Sequence, residues 1–126
     1  MGIVRRVLSR AHRIETSRPA SRVRVSLRGH VLAESDHPLL LQEGRLRPRW
    51  YLPRADVQAE LLPSDTHTTC PFKGEASYHS VRLPDGGVEE DLVWYYPEPI
   101  AAVRELGDHV CFYGERVQTE VVGQPE

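Results

Sequence analysis

The sequence predicts a mainly β domain of two packed antiparallel sheets, and three observations predict it. Apolar residues alternate with period two along most of the chain from Arg22 onward. Gly, Pro and Asp clusters cut that alternation into short segments. No long helical segment follows each strand in turn, so a parallel βαβ arrangement is excluded.

Taken in order, Val23, Val25 and Leu27 share one face, Arg28-Gly29 forms a turn, and Val31 and Ala33 lie on the returning strand. Residues 39–42 and 46–52 make a second hairpin around Glu43-Gly44, with Pro48 marking an edge or a bulge. Pro53-Arg54-Ala55-Asp56 reads as a tight turn. Residues 57–62 resume as a strand that Pro63-Ser64-Asp65 stops. Residues 75–83 and 88–96 flank Pro84-Asp85-Gly86-Gly87, a strong hairpin signal. Residues 99–106 carry Pro in the first turn, apolar Ile100, Val103 and Leu106, and then Gly107, which predicts one short helix near the C-terminus. Residues 109–113 and 116–122 close the domain as strands.

The first 21 residues read differently. Val4, Val7, Leu8, Ala11 and Ile14 recur at helical spacing while Arg5, Arg6, Arg10 and Arg13 fall elsewhere on the wheel, predicting an N-terminal amphipathic helix that Arg18-Pro19-Ala20-Ser21 ends. Residues 1–28 hold eight Arg and a single acid, Glu15, a net +7 that leaves −9 for residues 29–126. The expected organisation is a basic helical arm (1–21), a single domain (22–122) and a short tail (123–126). The helix lies on its own domain or on a second copy, giving a homodimer; a nucleic-acid contact is disfavoured.

Composition narrows the function classes. A chain of 126 residues fits one domain with a core that needs neither metal nor disulfide. Fifteen of the sixteen basic residues are Arg, the other is Lys73, and Asn is absent, a pattern of G/C-rich codons that makes Arg counts weak evidence. The longest apolar run, residues 38–41, is far below the ~20 residues of a membrane helix. No signal-peptide block opens the chain, so a cytoplasmic protein without a membrane partner is expected. Cys70 and Cys111 cannot supply a four-thiolate site, and His30, His37, His79 and His109 lack paired ligand spacing, so neither metal nor cofactor is expected. There is no Gly-rich phosphate loop and no Gly-x-Ser-x-Gly elbow.

Chemistry concentrates in residues 66–78, THTTCPFKGEASY, which bring together thiol, amine, imidazole and hydroxyls. Cys70 is a candidate nucleophile or redox thiol, its thiolate favoured by the Lys73 ammonium three residues on, with His67 as its base. The plainer reading makes Cys70 a small buried hydrophobe and Lys73 a loop charge. In an Arg-biased chain, however, a retained Lys points to a compact, deprotonatable amine. Trp50-Tyr51 and Trp94-Tyr95-Tyr96 hold five of the nine aromatic rings, and alternation puts Trp94 and Tyr96 on one face and Tyr95 on the other. They pack a core, or one of them walls a cleft between the sheets whose ligand meets Lys73. Arg54 and Asp56 are either an ion pair in a turn or an anion site.

These residues resemble a bacterial and fungal family known as domain-of-unknown-function family 427. The likeness runs from about Val23 to Val121, through Tyr51-Leu52-Pro53-Arg54-Ala55-Asp56-Val57, Cys70-Pro71-Phe72-Lys73-Gly74-Glu75-Ala76-Ser77-Tyr78, Trp94-Tyr95-Tyr96-Pro97 with Pro99, and Val110-Cys111-Phe112-Tyr113. It implies a fold of the β-tent type, two antiparallel sheets meeting at an angle, as in methionine sulfoxide reductase B and the drug-binding domain of cereblon. Those relatives carry a four-cysteine zinc site, which this sequence lacks. The family is sometimes labelled a nucleotidyltransferase; that chemistry uses carboxylates holding two Mg²⁺ ions, and no Asp-x-Asp or Asp-x-Glu pair occurs here.

The leading expectation is a small-molecule site formed by Arg54, Asp56, Cys70, Lys73, Tyr78, Trp94 and Tyr96. The alternatives are an enzyme using Cys70 with Lys73 or His67, and an interaction module using the basic helix.

Overall fold

The structure, a computed structural model, describes residues 4–8, by backbone alone, and residues 13–123. Among them are eleven strands: β1 (Val4–Leu8), β2 (Arg13–Ser17), β3 (Arg22–Leu27), β4 (His30–Ser35), β5 (Leu39–Glu43), β6 (Arg49–Pro53), β7 (Glu60–Cys70), β8 (Gly74–Arg82), β9 (Val88–Tyr95), β10 (His109–Phe112) and β11 (Gln118–Val122). They form an eight-stranded sheet in the order β1-β2-β5-β6-β10-β9-β8-β7 and a three-stranded sheet in the order β11-β3-β4. Every pairing is antiparallel.

The β3–β4 hairpin turns at Arg28 and Gly29, both with positive φ, and β8–β9 turns through residues 84–87, as the turn residues require. Val23, Val25, Leu32 and Ala33 of the small sheet pack against Leu52, Val81, Val93, Val110 and Phe112 of the large one. This is the inter-sheet core. Its residues are nearly all below 4% exposed, and burying each large side chain contributes about 1.5–3 kcal/mol. A second cluster lies on the other face of the large sheet. It joins Ile14, Leu39, Leu41, Tyr51, Ala76, Trp94, Tyr96 and Cys111, capped by Val103 and Leu106.

The structure corrects the sequence at three places. Among the described residues there is no N-terminal amphipathic helix: Val4–Leu8 is β1, paired with β2, and β2 pairs with β5 from Ile14↔Glu43 to Ser17↔Leu40. A short helix is marginal alone, and its β-branched Val4, Val7 and Ile14 suit a strand. Pairing β2 into the sheet also buries Ile14 and Thr16 at period two. The homodimer and interaction module expected through that helix lose the element they were built on. Ala11, within the predicted helix, and tail residues 124–126 lie outside the described residues.

Second, Pro63 does not end a strand. β7 runs through it to Cys70, because β7 is an edge strand, where a missing N–H costs little. A register shift follows Pro63, and the Ser64 and Thr66 hydroxyls there both donate to Asp91. Third, the C-terminal helix is a 3₁₀ segment, Ala101–Leu106, kinked at Val103. Its two buried residues, Val103 and Leu106, are three apart, the period of a 3₁₀ turn. Residues 54–56 form the other 3₁₀ turn.

Among the described residues two imidazoles are buried. His79 stacks on Tyr95 at 4.6 Å between centroids with Nε2 unpartnered, and His109 accepts from Arg18 at Nε2 while Nδ1 donates to the Gly107 carbonyl. Burial is the main cause that lowers both pKa values, with Arg54 adding to it for His79 and Arg18 for His109. The unfolded chain therefore binds more protons as pH falls below the free-imidazole value of about 6.5. Stability is full above that value and declines as pH drops through the folded pKa values. Urea midpoints are expected to fall between about pH 7.5 and about pH 5. His79→Phe, which keeps the ring stack, should flatten that decline.

Candidate functional site

Alternation along five strands brings one set of side chains to the outer face of the large sheet. The cross-strand row Leu39↔Tyr51↔Cys111↔Trp94↔Tyr78 runs through β5, β6, β10, β9 and β8. Beside it lie Leu41 and Arg49, also paired across β5 and β6. Where the 3₁₀ segment stops covering this face, a cleft of about 240 Å³ opens. Leu41, Glu43, Leu46, Arg49, Tyr51, Lys73, Tyr78, Trp94, Tyr96 and Tyr113 line it.

Lys73 reaches the cleft from the turn between β7 and β8. The turn closes through the Lys73 N–H donating to the Cys70 carbonyl, and the Lys73 carbonyl accepts from Ile100. Gly74 makes that close approach: its φ is +120°, and a Cβ there would lie 3.2 Å from the Glu98 carbonyl oxygen. Gly74→Ala is expected to destabilise the fold by about 2 kcal/mol, measured as a denaturant midpoint. So anchored, the Lys73 side chain is only 9% exposed, and its Nζ donates to Glu43 Oε1 on β5, itself 13% exposed. A buried ammonium is tolerable only with such a partner.

The aromatic residues are tied to one another. Trp94 Nε1 donates to the Tyr51 hydroxyl at 3.0 Å, with the rings edge to face, and Tyr113 packs 4.5 Å from Trp94. The Arg49 guanidinium lies 5.2 Å from the Trp94 centroid and is gripped by both oxygens of Glu115. Trp94 is therefore a floor, its ring face already covered. Burial raises the Tyr51 and Tyr96 pKa values, and burial with the neighbouring Tyr78 hydroxyl pushes Tyr113 up to about 12. These phenols stay protonated at neutral pH and can donate hydrogen bonds. Tyr78 also shares a 2.9 Å hydrogen bond with Thr68.

Of the seven residues expected to form the site, Lys73, Tyr78, Trp94 and Tyr96 line this cleft. Cys70 packs half-buried against the same cluster without lining the opening, and the imidazole expected to serve it, His67, is held by Ser77 at 3.2 Å. Arg54 and Asp56 lie elsewhere: Arg54 stacks over Tyr95, which packs on the inter-sheet core, and Asp56 accepts from Ser35. The cleft is on the outer face of the large sheet and not between the sheets. Sequence reasoning missed Leu41, Glu43, Leu46, Arg49 and Tyr113, and left Tyr51 only among the rings that pack a core or wall a cleft. Their signal was alternation, since Glu43 continues the buried face of Leu39 and Leu41, and Arg49 shares a face with Tyr51. Among the described residues no three His, Cys, Asp or Glu side chains come together as metal ligands, and no helix is long and apolar enough to cross a membrane.

A family model described as Domain of unknown function (DUF427) matches residues 14–123. The chain belongs to that family. The DUF427 match begins at residue 14 and not near Val23, in keeping with β2's place in the large sheet. It also takes in every cleft residue from Leu41 to Tyr113. No curated protein matches the chain.

Proposed function

We propose that this DUF427 domain binds a small organic molecule in the cleft over Tyr51 and Trp94, with Lys73 as the polar anchor. The observation that carries the reading is the placement of Lys73: an almost fully buried, ion-paired side chain that lines an open cleft together with four tyrosines. An ion pair serving stability alone does not need a cavity beside it. The volume suits a single-ring molecule with a few polar atoms, and Leu41 and Leu46 supply an apolar wall. Ligand acceptors meet the Lys73 ammonium and the protonated phenols, while ligand donors meet Glu43.

The test is a thermal-shift screen of a metabolite library against the wild type and a Lys73→Met, Glu43→Leu double variant, which removes the anchor and its counter-charge together. At least one compound should stabilise the wild type and lose most of that effect in the double variant. Stabilisation of neither protein, or of both equally, overturns the reading.

A further inference from the structure

We propose that Lys73 captures an aldehyde or ketone as a covalent imine, with Glu43 carrying the protons. The inference rests on the ligand-binding reading above and narrows its ligand to a carbonyl compound with a one-ring or comparably small apolar body.

Three observations converge on it. Lys73 and Glu43 both line the cleft and Lys73 Nζ donates to Glu43 Oε1, so a proton acceptor is already in contact with the amine. Both side chains are almost out of water, 9% and 13% exposed, in a site walled by Leu41, Tyr51, Trp94 and Tyr96, where expelled water is not readily returned to the carbon. Finally, Lys73 is the single lysine beside fifteen arginines. An ion pair with a carboxylate is better made by the forked guanidinium, whereas an amine that must lose a proton and form a C=N bond has to be lysine.

The step balances without a further reagent. Glu43 takes one proton from the ammonium, and the freed nitrogen lone pair adds to the carbonyl carbon as the C=O π pair moves to oxygen. A proton passes from nitrogen to that oxygen, giving a carbinolamine. Glu43 returns its proton to the hydroxyl, water leaves, and nitrogen closes the C=N⁺ bond. One carbonyl compound is consumed, one water is released, and Glu43 ends as it began.

The experiment incubates the full chain with benzaldehyde and sodium cyanoborohydride, which reduces the imine to a stable benzylamine, and reads intact mass and tryptic peptides. With one lysine, the only amine besides Lys73 is the terminal one. Benzylation of Lys73 is expected to be at least about tenfold faster in the folded protein than in the chain unfolded in guanidinium. Glu43→Gln should slow it by at least about tenfold. Lys73→Arg, which keeps the charge and its counter-ion, should show the terminal adduct alone. Equal rates in folded and unfolded chains, or an unchanged rate in Glu43→Gln, overturn the imine. In either case a compound that still stabilises the wild type in the thermal screen leaves the non-covalent reading standing, so the two failures are distinguishable.

Discussion

Lys73→Met is expected to destabilise the fold by about 3 kcal/mol, because it leaves the Glu43 carboxylate in a site where water is scarce and its ammonium is gone. The value sits at the low end for an enclosed pair, since the cleft admits some water. The double variant Lys73→Met, Glu43→Leu should return to within about 1 kcal/mol of the wild type, because two apolar side chains of similar size owe no desolvation. Urea unfolding of the wild type, both single variants and the double variant measures the cycle. Near-additive single effects would show that the two groups do not interact across β5 and the β7–β8 turn. That outcome, a pair costly to break that adds little net stability, would fit a functional role better than a structural one.

Trp94→Ala is expected to cost about 4 kcal/mol, the largest effect of any single cleft substitution. The ring is 8% exposed and four groups depend on it: Tyr51 through a hydrogen bond, Arg49 through its ring face, Tyr113 through edge contact, and Tyr78 as its cross-strand partner. Tyr51→Phe separates the contributions, because it keeps both rings and removes only the hydroxyl that accepts from the Trp94 indole N–H. About 1 kcal/mol is expected for that change. Denaturant midpoints of the two variants decide it, and equal losses would show that the indole N–H, not the packing, holds the floor together.

Much of this was legible because β-strand periodicity is short-ranged. Val23, Val25, the Arg28-Gly29 turn and the hairpin through residues 84–87 declare themselves within a few residues, and each is found where alternation puts it. The same rule placed Trp94 and Tyr96 opposite Tyr95, and the two clusters divide them in that way. What the period could not supply was strand order. Glu43 meets Lys73, and Tyr51 meets Trp94, only because β5, β6, β10, β9 and β8 lie side by side, an arrangement set by long-range pairing. Arg54 and Asp56 follow Tyr51 closely in sequence, yet the turn after β6 carries them away from the cleft. The N-terminal error has a different cause. The spacing of Val4, Val7, Leu8, Ala11 and Ile14 suits a helix, and nothing local reveals that β5 offers Arg13–Ser17 a free edge.

The central claim, that Lys73 anchors a ligand in the cleft over Trp94, is tested most directly by the ¹⁵N resonance of its Nζ. With a single lysine in the sequence, ¹⁵N-lysine labelling yields one ammonium signal that needs no assignment. Titrated with compounds from the metabolite screen, that signal should move or broaden with at least one of them, together with the Trp94 indole resonance. A ligand that stabilises the protein while leaving the Lys73 signal unchanged would contradict the account.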